Sequence, residues 1–294
     1  VEHSRKGGGE GRLPRAKKSL GQNFLVDTGV QRRIVDAISP SPDDEVMEIG
    51  PGVGALTRHL AGRVRRLVLV ELDNDLAARL RAEHADNPAV ELIHRDVLEV
   101  PLEEVSADPG ALKVIGNIPY NITTPILFSL LERRPRPREI VLMVQREVAD
   151  RILAPHGSKA YGALAVGVRA VADVERVLNV ARGSFRPVPD VESSVVRIVP
   201  HAPPRLDAAT ETDLRTLTRI AFGQRRKQFQ RILRDAYGLD AEGIAALEGE
   251  LGIDLRDRPE SFAPEGFIAL ARALRGRGAR ARGAEDAREG DGER

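Results

Sequence analysis

Short apolar runs and amphipathic stretches take turns along the first half of the chain. Val30, Ile34 and Ile38 recur at helical spacing in TGVQRRIVDAI (28–38), which predicts a helix. DEVMEIG (44–50) is a short apolar run that ends in a glycine-rich turn, as a buried strand does. VGALTRHLAG (53–62) reads as a helix closed by Gly62. RLVLVELD (66–73) is β-branched and apolar, the mark of a buried parallel strand. NDLAARLRAEH (74–84) predicts a helix with Asn74 as its N-cap. VELIHRD (90–96) and LKVIGN (112–117) predict two further strands, TTPILFSLLERR (123–134) a helix, and EIVLMVQ (139–145) a fifth strand. This rhythm predicts an α/β fold, a Rossmann-like doubly wound sheet that is mostly parallel.

Beyond it the pattern changes. A helix near 160–171 precedes two strand-like runs, DVERVLNV (173–180) and SSVVRIVP (193–200), joined by a proline-rich loop. They predict a C-terminal antiparallel hairpin on the sheet. HAPP (201–204) reads as a linker, and 206–272 carries helical patterns only. The expected organisation is a basic arm over 1–16, an α/β domain over 17–204, a small helical domain over 205–272 and a disordered tail over 273–294. The tail prediction rests on its repetitive Arg, Gly and acidic composition.

Composition narrows the chemistry. Hydrophobic residues at 41% are enough for a sizeable core, and the net charge of +1 leaves room for a local basic face. With no cysteine, disulfides, thiolate metal sites and a cysteine nucleophile are excluded. The six histidines show no ligand spacing, so no metal is expected. No run spans a membrane, and VEHSRKGGGEGRLPRAKK has no apolar stretch of a secretory signal. A cytoplasmic protein is expected, and with no long apolar stripe, a monomer.

Four segments could carry chemistry. In MEIGPGVGALT (47–57), Gly50, Gly52 and Gly54 lie between a strand and a helix, where backbone can approach a ligand closely. Taken alone this is also a plain tight turn, or a dinucleotide fingerprint with Ala55 in the third small position. Glu71 ends the next strand, where an acid can accept from two ribose hydroxyls. That ribose belongs to NAD and to S-adenosyl-L-methionine alike, and a solvated carboxylate is the plain alternative, one that fits Asp73 and Asp75 better. Asp96 ends the third strand and could take an adenine amine, or simply cap a turn. GNIPYNITTPIL (116–127) follows the fourth strand, beyond the carboxyl end of the sheet, where ligands bind in open α/β folds. The amine of adenine is a poor nucleophile because its lone pair is delocalised into the ring. The side-chain oxygen of Asn117 and the carbonyl of Ile118 can accept its protons. Pro119 stiffens the turn and removes a competing donor, and Tyr120 can stack on a base. The same four residues would be out of place in a hydride-transfer site.

These segments resemble the KsgA-type family of ribosomal RNA adenine N6,N6-dimethyltransferases, a group that also holds the Dim-type and Erm enzymes. KKSLGQNFLVD (17–27), SKAYGALAV (158–166), SFRPVPDVESSVVR (184–197) and AFGQRRKQF (221–229) continue the match over about 17–270. The resemblance implies a class I methyltransferase fold and S-adenosyl-L-methionine as cofactor. It implies binding of that cofactor by Asn23, Leu25, Gly50, Gly52, Glu71, Asp96 and Asn117. It implies that Asn117, Ile118, Pro119 and Tyr120 hold the target adenine, and that Phe185 sandwiches the flipped base. Without the resemblance, Phe185 reads as a core or loop anchor.

RIAFGQRRKQFQRILR (219–234) carries Arg225, Arg226, Lys227 and Arg231 and no acid. On a helix it would form a basic face for phosphates, or else a solvated charged surface. The resemblance favours contact with RNA, and Arg12, Arg15, Lys17 and Lys18 of the arm could add to it. The expected substrate is two adjacent adenines in a 16S RNA loop of a small ribosomal subunit or its precursor, with a role in subunit biogenesis. An Erm-type enzyme acting on large-subunit RNA and a non-catalytic assembly or transcription factor of the same fold are the alternatives.

Overall fold

The computed structural model describes residues 13–17 and 20–282. Most of the predicted arm, Lys18, and residues 283–294 of the predicted tail lie outside the described residues.

Seven strands form one sheet. β2 (Glu45–Ile49), β3 (Arg66–Glu71), β4 (Val90–His94), β5 (Lys113–Asn117) and β6 (Glu139–Gln145) are parallel, and β7 (Ala172–Val180) and β9 (Ser193–Pro200) are antiparallel. The order across the sheet is β4-β3-β2-β5-β6-β9-β7. The predicted mostly parallel sheet with a C-terminal hairpin is therefore present. A separate two-residue ladder pairs β1 (Phe24–Leu25) with β8 (Phe185–Arg186). It joins segments some 160 residues apart and has no periodic signal in the sequence.

Helices cover both faces, which is why the central strands β2, β3, β5 and β6 are mostly apolar and buried. On one face α1 (Thr28–Ala37) and α3 (Asn74–Glu83) bury Ile34, Val35 and Leu80 against Val46, Leu67, Leu69 and Ile115. On the other, α5 (Thr123–Glu132) and α7 (Ala163–Arg169) pack Ile126, Leu130, Leu164 and Val168 over Ile49, Val114 and Leu142. Between these two helices lies α6 (Arg146–Leu153), which the sequence pattern did not foreshadow. α4 (Leu102–Val105) is a single turn.

α8 (Ala208–Gly223), α9 (Phe229–Tyr237), α10 (Ala241–Leu251) and α11 (Pro264–Gly276) form the predicted helical unit. It shares one continuous core with α5–α7: Leu214, Leu217, Phe229 and Phe267 belong to the same buried cluster as Val166 and Leu142. Polar contacts tie the two parts as well. The buried Glu211 of α8 meets Arg134 and Arg136, each at 2.6 Å, and the Tyr161 hydroxyl donates to the carbonyl of Phe262. Both partners of the Arg136–Glu211 pair are nearly solvent-free, so loss of either would strand a buried charge.

Three local predictions need correction. The helix expected over 53–62 is reduced to α2 (Thr57–Leu60), because residues 51–56 form turns through the positive-φ glycines 52 and 54. The N-cap of α3 is Asp73, whose carboxylate accepts from the backbone N–H groups of Asp75 and Leu76, and Asn74 is already helical. The tail does not begin at 273: α11 runs to Gly276 because Ala273 and Leu274 complete the buried stripe of Phe267, Leu270 and Ala271.

β2 and β5 lie side by side, with Ile49 paired to Gly116. A Cβ on Gly116 would stand 2.7 Å from the backbone oxygen of Ile49, which cannot move without breaking the ladder. Gly116→Ala is therefore expected to destabilise the protein by about 2 kcal/mol. Urea denaturation would show a lower midpoint at an unchanged slope. An unshifted midpoint would mean that the strands relax without cost.

Candidate functional site

Beyond the carboxyl ends of β2, β3, β4 and β5 opens a cleft lined by residues 20–25, the turn 50–53, Glu71 and Leu72, residues 95–97 and the turn 117–122. All of Asn23, Leu25, Gly50, Gly52, Glu71, Asp96, Asn117, Ile118, Pro119 and Tyr120 line it. The structure thus brings together five sequence segments that the motifs singled out.

The floor is backbone. Gly50 and Gly52 adopt φ of +61° and +60°, a region L side chains rarely enter. Gly50 N–H donates to Val70 and fastens the turn to β3. Glu71 ends β3 as a buried carboxylate. Its Oε2 accepts from Gly52 N–H at 3.0 Å and its Oε1 from Asp73 N–H at 2.9 Å. Burial raises its pKa, against the pull of those N–H groups. Each oxygen retains a second lone pair, so the group can still accept from hydroxyl donors in the cleft. Asp96 caps a turn and lies at the cleft. Its Oδ1 accepts from Leu98 N–H and caps a 3₁₀ turn at Val97–Glu99, while the residue also lines the cleft.

The opposite wall carries acceptors. Asn117 Nδ2 donates to the carbonyl of Asn23 at 3.2 Å, which fixes the orientation of the side-chain amide. No described residue donates to Asn117 Oδ1 or to the carbonyl of Ile118. Two acceptors on adjacent residues are thus left for a donor in the cleft. The Tyr120 hydroxyl is 2.6 Å from Ser193 Oγ, so its ring is held from the start of β9. Burial pushes this phenol up, so it remains protonated at neutral pH.

Phe185 is not in the cleft. It is fully buried on β8 opposite Leu25, in the core with Ile34 and Val35. Its place is the core-anchor alternative, because the β1–β8 ladder turns it inward beneath the cleft wall. The basic run 219–234 is not one helical face either. Residues 224–228 form the turn between α8 and α9. Arg225 there donates to the carbonyl of Ser158, and Lys227 pairs with Asp235 at 2.9 Å. Arg226 and Arg231 are exposed and pair with no described residue.

Sequence reasoning passed over Glu48, a nearly solvent-free carboxyl in β2 that lines the cleft beside Glu71. Its only mark was an acid inside an otherwise apolar run. Thr57 Oγ1 donates to it at 2.7 Å. Burial pushes its pKa up to about 7, outweighing the Thr57 bond. The folded-state value lies above the unfolded one. The carboxyl's contribution to stability is therefore fully present below about pH 4.5 and is lost as pH rises through 7. Glu48→Gln, neutral throughout, is expected to gain on the wild type between pH 5 and 8, by about 3 kcal/mol at most. Denaturant melts across that range would show diverging midpoints, and parallel curves would contradict the assignment.

The comparisons agree with this geometry. The family model described as ribosomal RNA adenine dimethylase matches residues 14–257. The ribosomal RNA small subunit methyltransferase A of Geobacter metallireducens is 45% identical over 263 residues, 88% of this chain and 96% of that protein. The protein of the same name from Bacillus mycoides is 39% identical over 265 residues, 88% of this chain and 91% of its own. Among solved structures, a dimethyladenosine transferase from Plasmodium falciparum superposes with a TM-score of 0.77 at 24% identity, covering 87% of this chain and 99% of its own. The 23S rRNA methyltransferase ErmE gives 0.67 at 29% identity, covering 86% and 100%. With a family model spanning far more than half its length and relatives above 40% identity over nearly all of theirs, the chain belongs to the ribosomal RNA adenine dimethylase family.

Proposed function

We propose that this protein transfers methyl groups from S-adenosyl-L-methionine to the N6 amine of adenine in small-subunit ribosomal RNA, giving N6,N6-dimethyladenosine. The observation that carries the reading is the pair of acceptors, Asn117 Oδ1 and the Ile118 carbonyl, to which no described residue donates, in the lining of a glycine-floored cleft. The small subunit is favoured by the names of the relatives at 39–45% identity. Two adjacent adenines of a 16S loop, and a part in subunit biogenesis, complete the proposal.

The residues present fit the cofactor. Glu71 stands where a carboxylate can accept from both ribose hydroxyls, and Asp96 where its second oxygen can accept from an adenine amine. The turn at Gly50 and Gly52 leaves room for close approach of a ligand to backbone. Asn23 and Leu25 supply the wall across from it. When bound, S-adenosyl-L-methionine supplies an activated methyl group, so the protein's part is chiefly to position and desolvate. Asn117 Oδ1 and the Ile118 carbonyl accept the two protons of the target amine and aim its lone pair into the cleft. Pro119, without an N–H, offers no donor that would compete. Tyr120, held by Ser193, presents its ring to the face of a base taken out of its stack. These bonds suffice to orient a weakly basic amine, and no strong general base is required.

Exposed Arg226 and Arg231 are proposed to meet phosphates, together with Arg225 and Lys227 once RNA competes for their present partners. The chain is proposed to act as a monomer. No described helix is long and apolar enough to cross a membrane.

The test is methyl transfer from labelled S-adenosyl-L-methionine to purified, unmodified small and large ribosomal subunits, with digestion of the RNA and identification of its nucleosides. Dimethyladenosine from small-subunit RNA alone is expected. Product from large-subunit RNA would move the reading to the Erm type. No product on either, despite cofactor binding, would favour a non-catalytic assembly factor. In the same assay Asn117→Ala should lower turnover about a hundredfold or more while cofactor affinity changes far less. Equal losses in both would contradict its role toward the amine.

A further inference from the structure

One wall of the cleft is a strap. Residues 20–24 line it, and its far end is held by the β1–β8 ladder. Apolar support is slight: Phe24 packs with Val53 and Leu76 in a cluster of three buried residues, with Ala16 against them. The near end is held by polar bonds, and these converge on one residue.

That residue is Asp73. Its side chain is 1% exposed although it lies past the end of β3, at the N-cap of α3. Oδ1 accepts from Lys17 Nζ at 2.9 Å, and Oδ2 accepts from Gln22 Nε2 at 2.9 Å. Lys17 N–H in turn donates to Gln22 Oε1 at 2.8 Å, closing a ring between the strap and α3. Asp75 accepts a second bond from Lys17 Nζ, but on the exposed surface. Asp73 Oδ1 also caps α3, accepting from Asp75 N–H and Leu76 N–H. The backbone N–H of Asp73 donates to Glu71 Oε1. Burial works to raise the Asp73 pKa, but the bonds from Lys17 and Gln22 outweigh it and hold the carboxyl below its usual range. The group is therefore ionised at neutral pH, and charge-assisted bonds to it are the strong kind.

We infer that Asp73 is a positioning residue that fastens the N-terminal strap over the cofactor cleft and sets the Glu71 carboxylate, and that it governs how long the cofactor stays bound. A ligand lying between residues 20–25 and Glu71 leaves only when the strap lifts. Lifting it breaks the Lys17 and Gln22 bonds to a buried carboxylate. None of these groups reaches the acceptors at Asn117 and Ile118. The strap meets Asn117 only through the Asn23 carbonyl, next to the β1–β8 ladder that holds the far end, so with the cofactor bound the chemical step is little affected. The inference rests on the cleft holding S-adenosyl-L-methionine, as proposed above.

Asp73→Asn is the informative variant. Asparagine is as good an N-cap as aspartate, so α3 stays capped, but the negative charge and one acceptor oxygen are lost. Amide hydrogen exchange without any cofactor should be about tenfold faster over residues 20–25 and unchanged in β2 and β5. S-Adenosyl-L-methionine, followed by stopped-flow and calorimetry, should dissociate about tenfold faster and bind about tenfold more weakly, equal to about 1.4 kcal/mol. KM for the cofactor should rise accordingly, with kcat at saturation within about twofold. Lys17→Met should do the same to a smaller degree, and the double variant should add little to Asp73→Asn. Exchange over 20–25 equal to wild type would overturn the inference, as would a loss of kcat matching the rise in KM. Wild-type protein that binds no S-adenosyl-L-methionine would instead remove the cofactor reading, and the exchange result would still decide whether Asp73 fastens the strap.

Discussion

β2 and β5 run side by side although β3, β4 and their helices intervene in sequence, and the chain leaves them toward opposite edges of the sheet. Connections that diverge in this way cannot cover the strand ends between them, so a crevice forms there. Its width is set by how closely the two strands approach, and that is set at Ile49 and Gly116, where no Cβ fits. The glycine turn leaves β2 into this crevice, and Asn117 leaves β5 into it one residue after Gly116. The glycine floor of the cleft and its pair of acceptors are thus two consequences of one pairing.

Three buried carboxyl groups, Glu48 and Glu71 in the cleft and Asp73 beside it, are each managed differently. Glu48 has a hydroxyl donor and burial, and its pKa is pushed up to about 7. Glu71 has two backbone donors and keeps lone pairs for a ligand. Asp73 has an ammonium, an amide and a helix N-terminus, and its pKa is lowered. The groups sit near one another because β2 carries Glu48 beside β3, which ends at Glu71 and leads into α3 through Asp73, yet their protonation is separated by what donates to each.

Much of this was legible in the sequence. Four of the parallel strands were readable as continuous apolar runs and β4 by its alternation, and Gly50, Glu71, Asp96 and Asn117 because each lies at or just past the end of such a run; Asn23 and Leu25 came only from the family resemblance. What escaped depended on contacts between distant segments. The β1–β8 ladder is two residues long on each side and has no period, so the depth of Phe185 could not be read from FRP. Asp73 looked like a surface carboxylate because Lys17 and Gln22, which bury it, lie more than fifty residues away. The basic run read as one helix because QRRKQ has no Gly or Pro, whereas Phe222 and Phe229 both turn toward Phe267 and the chain bends between them to let them.

On the function proposed here, Glu71, presented by the β3 end and oriented by Gly52 and Asp73, holds the cofactor in this crevice. The decisive measurement is isothermal titration of S-adenosyl-L-methionine into wild-type protein and Glu71→Ala. One saturable site in the wild type, weakened at least about tenfold in a variant that melts like the wild type, is the predicted result. Equal affinity in the two proteins would contradict it and place the cofactor's ribose elsewhere.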